Sequence, residues 1–190
     1  MQRIVDESEW FASAEHDGFI QDIQQLFVHP KDMDAQVFLK YSTKPTFDYL
    51  YLTHQYYLDK RLPEISQTIT RLRELDEFRS GSLLLLQLFF KEYQHHLKEH
   101  IRLEEDSFFP PLHSGSSKNA IAASLKDFFE GHEDTENDLR RMRDVLKEYQ
   151  PDSLTSSVYR ILLVQLQALE LDLHIHSFVE EEILPAQLLK

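Results

Sequence analysis

His100-Ile-Arg-Leu-Glu-Glu-Asp-Ser-Phe-Phe-Pro110 has a counterpart in His176-Ser-Phe-Val-Glu-Glu-Glu-Ile-Leu-Pro185, so a His-x-x-x-Glu-Glu start recurs after 76 residues and a proline stop after 75. Residues four apart share one face of a helix, so each stretch aims a ring and a carboxylate in the same direction. A second pair supports the repeat: His54 and His132 are 78 residues apart. Two helix pairs of one kind, each giving two His and one Glu, would surround a common centre with pseudo-twofold symmetry.

Outward from these stretches the chain reads as helix throughout. Only 4 Gly and 7 Pro occur in 190 residues, against many Leu, Gln, Glu and Lys, which favours long helices over strands. The apolar spacing predicts a first helix from about Glu9 to Phe27, ending before His29-Pro30. Four more follow, at roughly Thr46–Arg79, Ser82–Phe109, Lys118–Tyr149 and Ser153–Leu189. Ser80-Gly81-Ser82 reads as a turn, and Pro110-Pro111 with Ser114-Gly115-Ser116-Ser117 as a loop. Gln150-Pro151-Asp152-Ser153 reads as a loop ending in a helix cap. Short loops between long helices favour antiparallel neighbours. The expected fold is therefore all-α: an up-down-up-down four-helix bundle over residues 46–190, preceded by a short N-terminal helical extension over residues 1–45.

Each bundle helix carries an apolar stripe. The second predicted helix has Leu58, Leu62, Ile65, Ile69 and Leu72, and the third has Leu86, Phe90, Tyr93 and Leu97. The fourth has Leu125, Phe129, Leu139 and Leu146, and the fifth Leu162, Leu166, Leu169, Leu173 and Ile183. Such stripes establish a packed bundle and nothing more. What interrupts them is informative. Steps of three or four along the stripes reach His54, then His100 and Glu104, then His132, then His176 and Glu180. Unpaired buried carboxylates cost several kcal/mol each, and no Lys or Arg shares the stripes, so a metal is the economical partner. At a rise of 1.5 Å per residue, antiparallel packing places the four His roughly 12–21 Å from the same end of the bundle. Mixed nitrogen and oxygen donors suit iron or manganese, with zinc a substitute. Six ligands are too many for one tetrahedral zinc, so two metal ions are expected. His96, one turn before His100, is a candidate for lining the pocket, whereas His174 points away from the His176 stripe. His16, His29, His95 and His113 fall in polar or loop contexts without evident partners.

Composition narrows the rest. A formal net charge of −13 argues against a nucleic-acid partner. Cysteine is absent, which excludes disulfides, thiolate catalysis and cysteine-ligated iron–sulfur clusters. The longest apolar run, Ser82 to Phe90, is about half of the roughly 20 residues that a membrane span requires. Asp6, Glu7 and Glu9 replace the basic start of an export signal. A cytoplasmic location is expected.

At these residues the chain resembles the hemerythrin-like (HHE cation-binding) superfamily over about Phe47 to Leu189. It is most similar there to the di-iron repair-of-iron-centres proteins of the YtfE/ScdA type. The resembling segments are Thr53-His54 through Ile65, His100 through Pro110, Gly131-His132-Glu-Asp, and His176 through Pro185. The resemblance implies a non-haem di-iron centre with four His and two bridging Glu: His54, His100, His132, His176, Glu104 and Glu180. It also implies a role in repairing iron–sulfur clusters after nitrosative or oxidative stress, with damaged iron–sulfur proteins as partners. Oxygen-carrying hemerythrins place a second His one turn after the ligand of the third bundle helix, where this chain has Glu136. Some members place the first ligand at the position of Gln55; here His54 continues the apolar stripe, and Gln55 is rotated about 100° from it. The cysteine-bearing N-terminal domain common in the repair proteins has no counterpart in residues 1–45.

An alternative stays open: the same first shell would serve an oxygen or nitric-oxide carrier or sensor. An oxidase fits less well, because ferritin-like sites read Glu-x-x-His with the Glu first. The residues leave enzymatic turnover and oligomeric state undecided.

Overall fold

A computed structural model describes residues 14–76, 81–113, 121, 125, 135–149, 151 and 155–190. Every regular element among them is helical, as the sequence predicts. In chain order these are α1 (Ala14–Val28), a 3₁₀ turn (Ala35–Lys40), α2 (Thr43–Tyr56), α3 (Leu62–Leu75), α4 (Gly81–Leu103), α5 (Phe109–His113), α6 (Thr135–Glu148), α7 (Ser156–Phe178) and α8 (Leu184–Leu189). Three π turns join neighbouring pieces without a break: Tyr57–Arg61 between α2 and α3, Glu104–Phe108 between α4 and α5, and Val179–Ile183 between α7 and α8.

Proline explains where the π turns lie. Pro63, Pro110 and Pro185 each stand two residues after one of them. In a regular helix a proline offers no N–H and its ring strikes the carbonyl four residues back. Widening the preceding turn moves that carbonyl away. The Phe109 N–H then bonds the Glu104 carbonyl, and the Leu184 N–H bonds the Val179 carbonyl, each five residues back. Pro110 therefore does not stop its helix, as the sequence reading has it; the helix continues to His113. Pro45 lies within the first turn of α2, where its missing N–H is harmless, and not in the preceding connector.

The wide turn also shifts the core register. The five-residue step from Tyr57 to Leu62 makes Tyr57 the fully buried residue, while the expected Leu58 is only half-buried. The rest of that stripe, Leu62, Ile65, Ile69 and Leu72, is buried as read.

The described residues fall into two compact units. The first takes the described residues that fall within Met1–Tyr56, Leu103–His132 and Leu173–Lys190. Its core gathers Phe19 of α1 against Phe38 and Tyr49, with Tyr41 edge-on to Phe19. Tyr41 comes so near α1 that a Cβ at Gly18 would meet its hydroxyl at 3.1 Å, which favours glycine there. Gln187 of α8 ties three elements: its amide nitrogen donates to the Phe38 carbonyl, and its oxygen accepts from the Thr46 hydroxyl. His16 belongs to this core too. It is buried and pairs with Asp48 at 2.7 Å, which corrects its assignment to a polar context without partners.

The second unit takes the described residues that fall within Tyr57–Arg102 and Glu133–Asp172. Its buried residues include Leu86, Phe90, Tyr93 and Leu97 of α4, Leu139, Met142 and Leu146 of α6, and Leu162, Leu166 and Leu169 of α7. Arg61 binds Asp172 at 2.9 Å, and Arg143 binds Glu170 at the same distance. Burial pushes the Asp172 carboxyl up, a shift that Arg61 opposes without cancelling.

Candidate metal centre

The π turns bring chemistry into the first unit. His54 lies in the last turn of α2 and His176 in the last turn of α7; Glu104 opens one π turn and Glu180 lies in another. All four side chains are buried, with both carboxylates no more than 1 % exposed. His54, Glu104 and His176 present one nitrogen or oxygen atom each within 4.8 Å of one another. His54 Nε2 lies 3.2 Å from His176 Nε2 and 3.0 Å from Glu104 Oε2.

The outer nitrogens of both rings are occupied. Thr53 Oγ1 lies 2.8 Å from the Leu50 carbonyl, 3.0 Å from the Tyr49 carbonyl and 2.8 Å from His176 Nδ1. A carbonyl can only accept, so the hydroxyl proton goes to the helix and the ring must donate its Nδ1–H to Thr53. His176 Nε2 is then an unprotonated donor atom facing the cluster. His54 Nδ1 sits 2.9 Å from Glu105 Oε1, and an ionised carboxylate likewise only accepts. Both imidazoles thus offer Nε2 inward, the arrangement that metal-binding histidines adopt when the other nitrogen is held from outside.

Burial alone would lower the basicity of His54. The hydrogen bonds to Glu104 and Glu105, with the charge of Glu180 nearby, outweigh it and raise its pKa to about 9. In the metal-free protein at neutral pH the ring is therefore protonated, and a proton occupies the space between His54 Nε2 and Glu104. The spacing also suits a metal. For metal–nitrogen bonds of about 2.1 Å, two nitrogens on one ion lie roughly 3.0 Å apart in an octahedron and roughly 3.4 Å in a tetrahedron. The observed 3.2 Å falls between.

Adjacent Glu104 and Glu105, both in the π turn, hold the two nitrogens of one ring. Phe109 lies parallel to the His54 ring at 5.9 Å between centroids, and Tyr51 meets Phe109 edge-on. Burial and the charge of Glu105 both raise the Tyr51 phenol.

Of the six residues singled out in the sequence, the first unit therefore gathers His54, Glu104 and His176, with Glu180 close enough to act on His54 electrostatically. His100 is half-buried one helical turn before Glu104 and belongs to the second unit. His132 lies outside the described residues, as does Phe129. Gln55 is exposed, so His54 is the inward member of that adjacent pair. His174 is exposed, as expected. His96 lines a surface cavity of about 200 Å³ in the second unit with Phe89, Glu92, Tyr93, Asp138 and Arg141. Sequence reasoning missed Thr53 and Glu105. The repeated Glu-Glu doublet pointed towards the latter; nothing marked Thr53.

Buried imidazole and carboxylate on long helices, with their outer atoms fixed, form a group that could hold a cation. Residues 46–188 match the family model of the hemerythrin HHE cation-binding domain. The chain belongs to that family, and its all-α, hemerythrin-like bundle class is the one expected. It is similar to the iron–sulfur cluster repair protein ScdA from two strains of Staphylococcus epidermidis, at 26 % identity over 130 residues in each case. That alignment covers 67 % of this chain and 58 % of the relative, so the chain spans less than two thirds of those proteins. ScdA of Staphylococcus haemolyticus is 23 % identical over 169 residues, which is 87 % of this chain and 75 % of that protein. No solved structure matches this chain significantly. None of the described helices is long and apolar enough to cross a membrane.

Proposed function

We propose that this is a non-haem di-iron protein that supports the repair of iron–sulfur clusters after nitrosative or oxidative stress, acting in the cytoplasm on damaged iron–sulfur proteins. The observation that carries the reading is the inward convergence of His54 Nε2, His176 Nε2 and Glu104 Oε2, with both Nδ1 atoms fixed from outside. His54, His100, His132, His176, Glu104 and Glu180 would hold the irons. Bound there, iron would supply a site for small molecules such as nitric oxide. Iron is also the cargo of the reaction. Held by nitrogen and oxygen without thiolate, it is released more readily to a sulfur-rich acceptor than it would be from cysteine. The name shared by the Staphylococcus relatives supports the same role.

The protein's own groups contribute charge and order. Glu104 and Glu180 supply the negative charge that makes a cation favourable in a buried site. Thr53 and Glu105 hold the two rings, so little reorganisation accompanies binding or release. The test is complementation of a bacterial strain lacking its own cluster-repair protein, with recovery of an iron–sulfur enzyme followed after exposure to nitric oxide. Rescue by the wild-type chain and not by the Glu104→Ala/Glu180→Ala variant is expected. Equal rescue by both, or by neither, would refute the repair role; reversible oxygen binding by the purified protein in the latter case would favour the gas carrier.

A further inference from the structure

We propose that Glu105 is a positioning residue for the metal centre: its carboxylate accepts from the Nδ1–H of His54 and sets the orientation of the ring so that Nε2 faces the cluster. The inference rests on the metal-site reading above. It begins from an asymmetry between the two rings. His176 is held by a buried, neutral hydroxyl, whereas His54 is held by a carboxylate whose side chain is 35 % exposed. A carboxylate behind an imidazole makes the ring a stronger donor than a hydroxyl does, because it stabilises positive charge on the ring. It also fixes the tautomer without ambiguity, since an ionised carboxylate has no proton to give.

The backbone supports the assignment. Glu105 reaches His54 Nδ1 while Glu104 reaches Nε2, both from the π turn that opens at Glu104. The His54 ring is buried and lies parallel to Phe109, so its hydrogen bonds decide between the two orientations related by a 180° flip about Cβ–Cγ. Glu105 is partly exposed, so it touches solvent as well as the His54 ring.

The experiment uses zinc as a diamagnetic probe and ferrous iron as the second metal. Affinity is measured by competition with a chelator, and the His54 tautomer is read by nitrogen-15 NMR of the zinc-loaded chain. Glu105→Ala is expected to weaken binding by about 10–100-fold, to speed loss of metal to the chelator, and to disturb the signature of a ring protonated at Nδ1 and ligated through Nε2. Glu105→Gln, whose side-chain oxygen can still accept from Nδ1–H, should recover most of the affinity and the native tautomer. Glu182→Ala, an exposed member of the other acidic run, should behave as wild type. Circular dichroism checks the fold; should Glu105→Ala not fold, the tautomer in Glu105→Gln decides. Wild-type affinity and tautomer in Glu105→Ala would overturn the proposal, as would a Gln variant no better than Ala. Failure of the wild-type chain to bind either metal would instead overturn the metal-site reading itself.

Discussion

Thr53→Val tests the geometry of the centre without touching a ligand. Valine has nearly the shape of threonine and keeps the branched Cβ, so the packing of α2 should survive. Two things are lost: the hydroxyl bond to the helix carbonyls and the acceptor for His176 Nδ1–H. Both partners are buried, Thr53 at 4 % exposure and His176 at 5 %, so water cannot replace the acceptor. A buried donor left without a partner costs about 1–3 kcal/mol, and that loss should lower the melting temperature of the metal-free protein. The ring can recover by moving its proton to Nε2, but that blocks the atom facing His54. Metal binding should then weaken by about 10–100-fold, or roughly 1.4–2.7 kcal/mol. Competition against a chelator of known affinity measures the second effect, and thermal unfolding the first. Thr53→Ser, which restores the hydroxyl, should return both values close to wild type. Wild-type affinity in Thr53→Val would refute the argument that the hydroxyl fixes the His176 tautomer.

Other outcomes follow from the same geometry. His54→Ala, Glu104→Ala and His176→Ala should each lower metal content by elemental analysis, while His174→Ala should not; equal loss in the His174 variant would reverse the assignment of the α7 face. In the metal-free protein the His54 pKa is raised from 6.5 to about 9, so the ring stabilises the fold fully below pH 6.5. That contribution, about 3 kcal/mol, fades as pH rises through 9. Metal-free wild type should therefore lose stability between pH 6.5 and 9 relative to His54→Asn, and parallel curves would contradict the shift.

Much of this was legible in the sequence, because the strongest signals were periodic. A stripe at steps of three and four distinguished inward His54 from exposed Gln55, and found Leu86, Phe90, Tyr93 and Leu97 without error. The same rule failed at Leu58, because a fixed period of 3.6 residues cannot anticipate a turn that takes one residue more. The clue was nonetheless present in the prolines: a proline inside an apolar pattern that does not stop can mark a widened helix. The supporting residues were harder to find. Thr53 looks like any helical threonine until the ring from residue 176 arrives beside it, and Glu105 looks like a solvated charge. His16 was misjudged for the same reason. Its partner Asp48 is 32 residues away, and no local pattern links them.

The prolines after the π turns bear on how such a centre persists through descent. A π turn is what a one-residue insertion leaves in an α-helix, and a one-residue deletion should erase it. Deleting Ser107, for instance, would restore a regular turn but leave Pro110 inside it, at a cost of about 3 kcal/mol. Pro110 therefore acts as a ratchet: reversal becomes costly unless a second mutation removes the ring. With the same order of π turn and proline at Pro63 and Pro185, lineages of this fold should lose the wide turn and its proline together, and seldom either one alone.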